Sequence, residues 1–249
     1  MVPTAGAFVL TGAIAVLAGY GSSIEYLEFP AYCAPFFAVP ALGVLAANVK
    51  MYLNKQIQHT YVSQWYLLAA TVWFPIIYVT AMACTYFGLV QGVSQAITNW
   101  WFGHNVLGLF YTPLALASIY YFLPKVIGRP VQSYNLSLLG FWGLAFFYGQ
   151  VGGHHLIGGP VPGWLVTLSI VQSIMMIVPV VAFTVNQYQT LKGHFSALRY
   201  SPTLRDPVTV VRLHSFGTPV TMASRPQATI PRATRFSPAH WPARSKASR

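Results

Sequence analysis

NWWFGHNVLGLFYTPLALASIYYFL, Asn99 to Leu123, runs 25 residues without an Asp, Glu, Lys or Arg. At 1.5 Å per helical residue it reaches about 37 Å, more than the roughly 30 Å hydrocarbon core of a bilayer. Working outward from it, five further stretches read the same way: residues 3–20, 31–49, 65–88, 134–158 and 163–187, the first being the weakest of the six. The fold class this predicts is all-α, a polytopic transmembrane helix bundle of about six spans.

Composition agrees. Of 249 residues 55% are hydrophobic and only 7% charged, so 14 Lys and Arg with 3 Asp and Glu cannot cover the surface of a soluble globule. Trp, Tyr and Phe, at 7, 15 and 16 copies, supply the aromatic load of bilayer interfaces. Cys33 and Cys84 are too few for a disulfide scaffold, a thiolate zinc site or an iron–sulfur cluster. Pro35, Pro40, Pro75, Pro113 and Pro179 fall inside the apolar stretches and are read as kinks rather than ends, because neighbouring helices can satisfy the freed carbonyls in lipid. No Lys or Arg precedes the first apolar run, so a cleavable signal peptide is not expected.

Basic residues set the expected orientation. Lys50 and Lys55 lie between the second and third stretches, Lys125 and Arg129 between the fourth and fifth, and the remaining basic residues follow the sixth. The positive-inside rule then places both termini and these two loops in the cytoplasm, with residues near 21–30, 89–98 and 158–163 outside. Residues 1–190 form the expected transmembrane domain and 191–249 a cytoplasmic basic tail. From Asp206 onward the tail turns to Arg, Pro, Ser, Thr and Ala and is expected to be disordered, drawn to anionic lipid headgroups. The net charge of +11 is thereby explained without nucleic acid.

This topology brings distant histidines to one depth. His104 lies about 6 Å inside the outer end of its span, and the oppositely running fifth span carries His154 and His155 to a similar level. A lone intramembrane His is as often a helix-to-helix hydrogen-bonding residue as a ligand, but three at matched depth favour a metal. Three imidazoles without carboxylate or thiolate select copper or zinc over magnesium or calcium, and leave a coordination position open. On the same span Ser137, Tyr148 and His155 are spaced by 11 and 7 residues, near whole turns, so an α-helix would place them on one face. Taken alone, Tyr148 reads as an ordinary packing or hydrogen-bonding tyrosine.

Trp100-Trp101-Phe102-Gly103-His104-Asn105, Tyr120-Tyr121-Phe122-Leu123-Pro124-Lys125, Arg129-Pro130, and Tyr148 six residues before His154-His155 together resemble the catalytic subunit of the cbb-type cytochrome c oxidases, a branch of the haem-copper oxidases. The likeness covers roughly residues 25 to 205. It implies a copper ion, copper B, on His104, His154 and His155, opposite a high-spin haem at which dioxygen is reduced to water with electrons from cytochrome c, coupled to proton translocation. Tyr148 matches the family's redox tyrosine, which is joined covalently to the histidine matching His104. Thr112, Tyr120 and Ser137 fall along the family's cytoplasmic proton-input route, although hydroxyls bonded back to their own helix are the alternative for each. Glu25 and Glu28, before Pro30, resemble a segment near the haem propionates, with a solvated loop as the alternative. The resemblance further implies a bacterial inner membrane, and other oxidase subunits, including cytochrome c type subunits, as partners.

The chain also departs from that family. The cbb-type subunit has twelve helices, an early axial His for a low-spin haem, and a later His-x-His with one ligand for each haem of b type. Here no His precedes His59, and His155 is followed only by His194, His214 and His240, none in an apolar span. The copper half of the centre is therefore expected without the haem half, and a frame shift or truncation near Asp206 is one expectation, a genuine alternative arm the other. Two further readings stay open. A nitric oxide reductase relative would also hold a metal on three histidines, but with glutamates beside it, and no expected span here contains Asp or Glu. A non-catalytic membrane remnant is the other.

Overall fold

Uncharged runs of this length must satisfy every backbone N–H and C=O internally, and the α-helix does so. A computed structural model describes residues 2–22, 24, 26–56 and 59–197. Among the described residues the regular elements are all helical, without strands. In chain order the helices are α1 (Val2–Leu17), α2 (Ala34–Leu53), α3 (Val62–Thr85), α4 (Val93–Asn105), α5 (Thr112–Ile127), α6 (Tyr134–Phe147), α7 (Gly163–Met175) and α8 (Ile177–Leu191). A π-helical segment, Val106–Tyr111, joins α4 to α5, and a 3-10 segment, Tyr148–Leu156, continues α6.

Four rods are long and apolar enough to cross a membrane: Ala31–Leu53, Val62–Thr85, Val93–Ile127 and Gly163–Leu191. Two of the six expected spans take another form. Helix α1, with 16 residues, reaches only about 24 Å. The fifth span divides into 14 α-helical and 9 3-10 residues. The steeper rise of the 3-10 part carries the pair to about 39 Å, still membrane length. Large apolar side chains point outward along the rods, Val79 at 64% and Phe146 at 76% exposure, as a lipid-facing surface requires.

The prolines act differently from one another. Pro40 and Pro75 lie inside α2 and α3, as expected of kinks, but Pro35 and Pro113 occupy the first turns of α2 and α5. At Pro35 the first-turn N–H has no intrahelical use, so proline costs little; the rod runs on through Pro113, whose missing N–H is accommodated by the π segment before it.

One end of the bundle is sewn together by polar groups from separate elements. Asn186 of α8, fully buried, accepts from the Ser133 N–H (2.9 Å) and donates to the Ser133 carbonyl (2.8 Å) and to Ser137 Oγ (2.9 Å). Ser133 in turn caps α6 by accepting from the Leu136 N–H (3.2 Å). Thr190 accepts from the Gln132 N–H, Arg129 Nη1 donates to the Lys192 carbonyl, and the Tyr134 hydroxyl donates to the Thr60 carbonyl. The loops that carry Lys55, Arg129 and Lys192 thus share one end. His104 lies 21 residues before Lys125 along a continuous rod, about 30 Å toward the other end.

Replacing Asn186 by Ala removes three inter-element hydrogen bonds, each worth about 0.6 kcal/mol in a membrane protein, and is expected to lower stability by about 2 kcal/mol. Thermal or denaturant unfolding in detergent measures it; an unchanged midpoint contradicts the clamp.

Candidate metal centre

The site begins with a break in regular helix geometry. Pro113 has no N–H to return to the preceding turn, and the turn before it widens into the π segment, whose Thr112 N–H reaches the Leu107 carbonyl. Gly108 sits on that widened turn under the ring of Tyr148: a Cβ added there would lie 1.7 Å from Tyr148 Cε1. Tyr148 is buried, and its ring lies 4.9 Å, centre to centre, from that of His104.

Tyr148, His154 and His155 ride on the 3-10 segment, which packs between α4 and α7. It approaches α4 so closely that a Cβ on Gly152 would stand 2.3 Å from the Trp100 carbonyl oxygen and 2.9 Å from His104 Cβ. Asn105 Nδ2 donates to the Gly149 carbonyl (3.1 Å). On the other flank Ser169 Oγ donates to the Val151 carbonyl (2.6 Å), Gln172 Oε1 accepts from the Gln150 N–H (2.9 Å), and Gly153 allows Ser169 to approach. These contacts replace bonds that a 3-10 helix makes poorly, which is how so long a run persists.

The tight winding changes one expectation. Seven residues at three per turn are two and a third turns, so Tyr148 and His155 do not share the single helical face that α-helical spacing predicts. Tyr148 reaches His104 from the start of the segment, and His155 from its far end.

The three histidines meet. Ring centres lie 4.8 Å apart for His104 and His154, 5.2 Å for His104 and His155, and 4.4 Å for His154 and His155. One nitrogen from each lies within 4.8 Å of the others, the one such metal-capable group among the described residues. Metal–nitrogen bonds of about 2 Å need the nitrogens somewhat closer, a gap that small side-chain rotations close. His104 is buried at 9% exposure, His154 is half-buried and His155 is exposed, stacked on Trp100 at 4.0 Å with the planes 13° apart. The donor set is all-nitrogen, without carboxylate or thiolate, and suited to copper or zinc. Above α4, Tyr26 packs on Gly103 and Trp100, its left-handed backbone (φ 64) held where its N–H donates to Glu28 Oε1 (2.9 Å). Glu28 is exposed; Glu25 lies outside the described residues.

Tyr120 and Ser137 are fully buried at the opposite end, beside Asn186. Thr112 stands instead at the end of the π segment. Thr112 and Ser137 both donate back to their own rods, at 2.8 Å to Leu107 and 3.2 Å to Ser133. The Tyr120 hydroxyl faces the polar side chains of Ser137, Asn186 and Gln187. His59 and His194 are exposed, outside the membrane-length rods, and His214 and His240 fall among residues 198–249, which are not described, as does the basic tail from residue 198. The described histidines outside the cluster thus do not suit axial ligation of haem inside the bilayer. Gly108, Gly152, Asn105, Ser169, Gln172 and Ser173 escape sequence reasoning, since their roles exist only once α4, α7 and the 3-10 segment meet.

Fold and site together define a polytopic helical membrane protein with a cluster of three histidines spaced so that they could hold a metal ion. A family model described as cytochrome C and quinol oxidase polypeptide I matches residues 1–241, and the chain belongs to that family of membrane oxidoreductases. It is 33% identical over 218 residues to cytochrome c oxidase subunit 1 of Rhodobacter capsulatus, covering 84% of this chain and 41% of that protein. It is 33% identical over 228 residues to the cbb3-type cytochrome c oxidase subunit CcoN1 of Stutzerimonas stutzeri, covering 84% and 46%. A bacteroid subunit 1 homolog from Bradyrhizobium diazoefficiens is 32% identical over 219 residues, covering 85% and 40%. The chain thus spans less than half the length of these relatives.

Gly152→Ala meets a backbone carbonyl that cannot swing aside. It is expected to cost about 1–3 kcal/mol and to lower any uptake of added copper by the three histidines at least several-fold. Thermal unfolding and copper titration of the purified variant check this; unchanged stability and uptake would mean that the close approach is dispensable.

Proposed function

We propose that this chain supplies the copper-holding side of the dioxygen-reducing centre of a cbb-type haem-copper oxidase, acting with cytochrome c type and other oxidase subunits and taking electrons from cytochrome c. The observation that carries the reading is the convergence of His104, His154 and His155 with the Tyr148 ring against His104. His104, His154 and His155 would hold the metal. A copper ion there would supply an electron and Lewis acidity to the reduction of dioxygen to water.

The chain's own residues do the rest. Trp100 holds the plane of His155 by stacking, and Gly152 keeps the His154–His155 backbone against α4. Tyr148 Oη delivers a proton and the ring an electron beside His104. Tyr120 Oη, buried beside Ser137, and the hydroxyls of Ser137 and Thr112 form the inward proton route from the basic end, coupled to proton translocation. The setting is a bacterial inner membrane with the basic loops and both termini cytoplasmic, which the gathering of Lys55, Arg129 and Lys192 at one end supports. No role in holding haem is assigned to this chain's residues.

In the assembled oxidase, Tyr148→Phe is expected to cut oxygen consumption by more than about 100-fold with copper content near wild type; normal turnover would reject the assignment. His154→Ala is expected to lower copper content, and full occupancy would count against ligation.

A further inference from the structure

Helix α7 touches the 3-10 segment at three successive polar positions, and the third differs from the others. Ser169 and Gln172 hold backbone groups, of Val151 and Gln150. Ser173 instead meets a side chain: its Oγ lies 3.0 Å from His154 Nδ1. The same Oγ lies 2.7 Å from the carbonyl oxygen of Ser169, one turn back on α7.

A serine hydroxyl has one hydrogen, and a carbonyl oxygen can only accept. The hydrogen in the short Ser173–Ser169 contact is therefore the serine's own. Toward His154, Ser173 Oγ then has only lone pairs to offer, so the hydrogen in that contact belongs to Nδ1. A neutral imidazole carries a single N–H, so with Nδ1 protonated its lone pair is on Nε2. The sequence Ser169 carbonyl, Ser173 hydroxyl, His154 Nδ1 is thus a directed chain whose polarity is set at the carbonyl end.

We propose that Ser173 is a positioning residue that fixes His154 in the Nδ1–H tautomer and presents Nε2 as its metal-binding nitrogen. Free neutral imidazole exchanges between two tautomers, and only the one with a bare nitrogen toward the cluster can ligate. Ser173 removes the wrong tautomer and also holds the ring plane, as Trp100 does for His155 by stacking. The consequence for copper rests on the metal-site reading above; the tautomer assignment does not.

The test separates the two. Long-range proton–nitrogen NMR on the metal-free full chain in detergent, with His154 assigned by comparison with His154→Gln, reports which ring nitrogen is protonated. The expected wild-type result is protonated Nδ1 and bare Nε2. Ser173→Ala is expected to give a mixture of tautomers and about 10–100-fold weaker copper affinity, and Ser173→Thr, which keeps the hydroxyl and its bond to the preceding turn, to restore both. A bare Nδ1 in the wild-type chain, or an unaltered tautomer in Ser173→Ala, overturns the proposal. A wild-type chain with protonated Nδ1 that fails to bind added copper supports the positioning role and rejects the metal-site reading instead.

Discussion

Everything at the candidate centre depends on nine residues being wound more tightly than an α-helix. The segment Tyr148–Leu156 delivers one tyrosine and two histidines to a single histidine on α4, and it can do so only by lying nearly against the α4 backbone. Glycine at 152 permits that approach, and hydrogen bonds from Asn105, Ser169 and Gln172 hold it. Long 3-10 runs are poor at satisfying themselves, so the neighbouring helices are a condition of this segment's existence as well as its packing partners. The π segment on the facing rod complements it. One rod is underwound where the other is overwound, and the Tyr148 ring occupies the space between them.

The ends of the bundle follow different rules. At the basic end Asn186, Ser133, Ser137 and Thr190 satisfy one another, so helix ends that would otherwise present bare donors to lipid are closed by side chains. That closure fixes the register of α6 against α8, and the 3-10 segment that grows from α6 inherits its starting position from it. At the histidine end the arrangement is graded, with His104 buried and His155 exposed. Such a gradient suits a centre that is held on one side by this bundle and approached from the other, and a ligand set with an open position.

The membrane class, the placement of most rods and the pairing of His104 with His154 and His155 were all legible in composition, run length and spacing. What misled was the assumption of α-helical period through Tyr148. The polar stripe of Ser137, Tyr148 and His155 presumes 3.6 residues per turn, whereas the segment after Phe147 turns every three. Periodicity reads the commonest winding, and a departure from it is enforced by neighbours that the local sequence does not contain. The π-widened turn before Pro113 is a further case: the apolar run is unbroken, as the sequence suggests, but the change of winding within it is seen only in the fold.

By itself the sequence determined the solvent of this protein, because seventeen charges among 249 residues leave no other, and it determined which imidazoles face one another, because antiparallel rods of known rise bring fixed positions to fixed depths. Only the tertiary structure decided how those imidazoles are held. The tautomer of His154, the plane of His155 and the seat of Tyr148 are set by Ser173, Trp100 and Gly108, which lie on other elements. Hydrogen-bond direction and steric contact act over a few ångströms, and residues far apart in the chain come that close only after the helices pack.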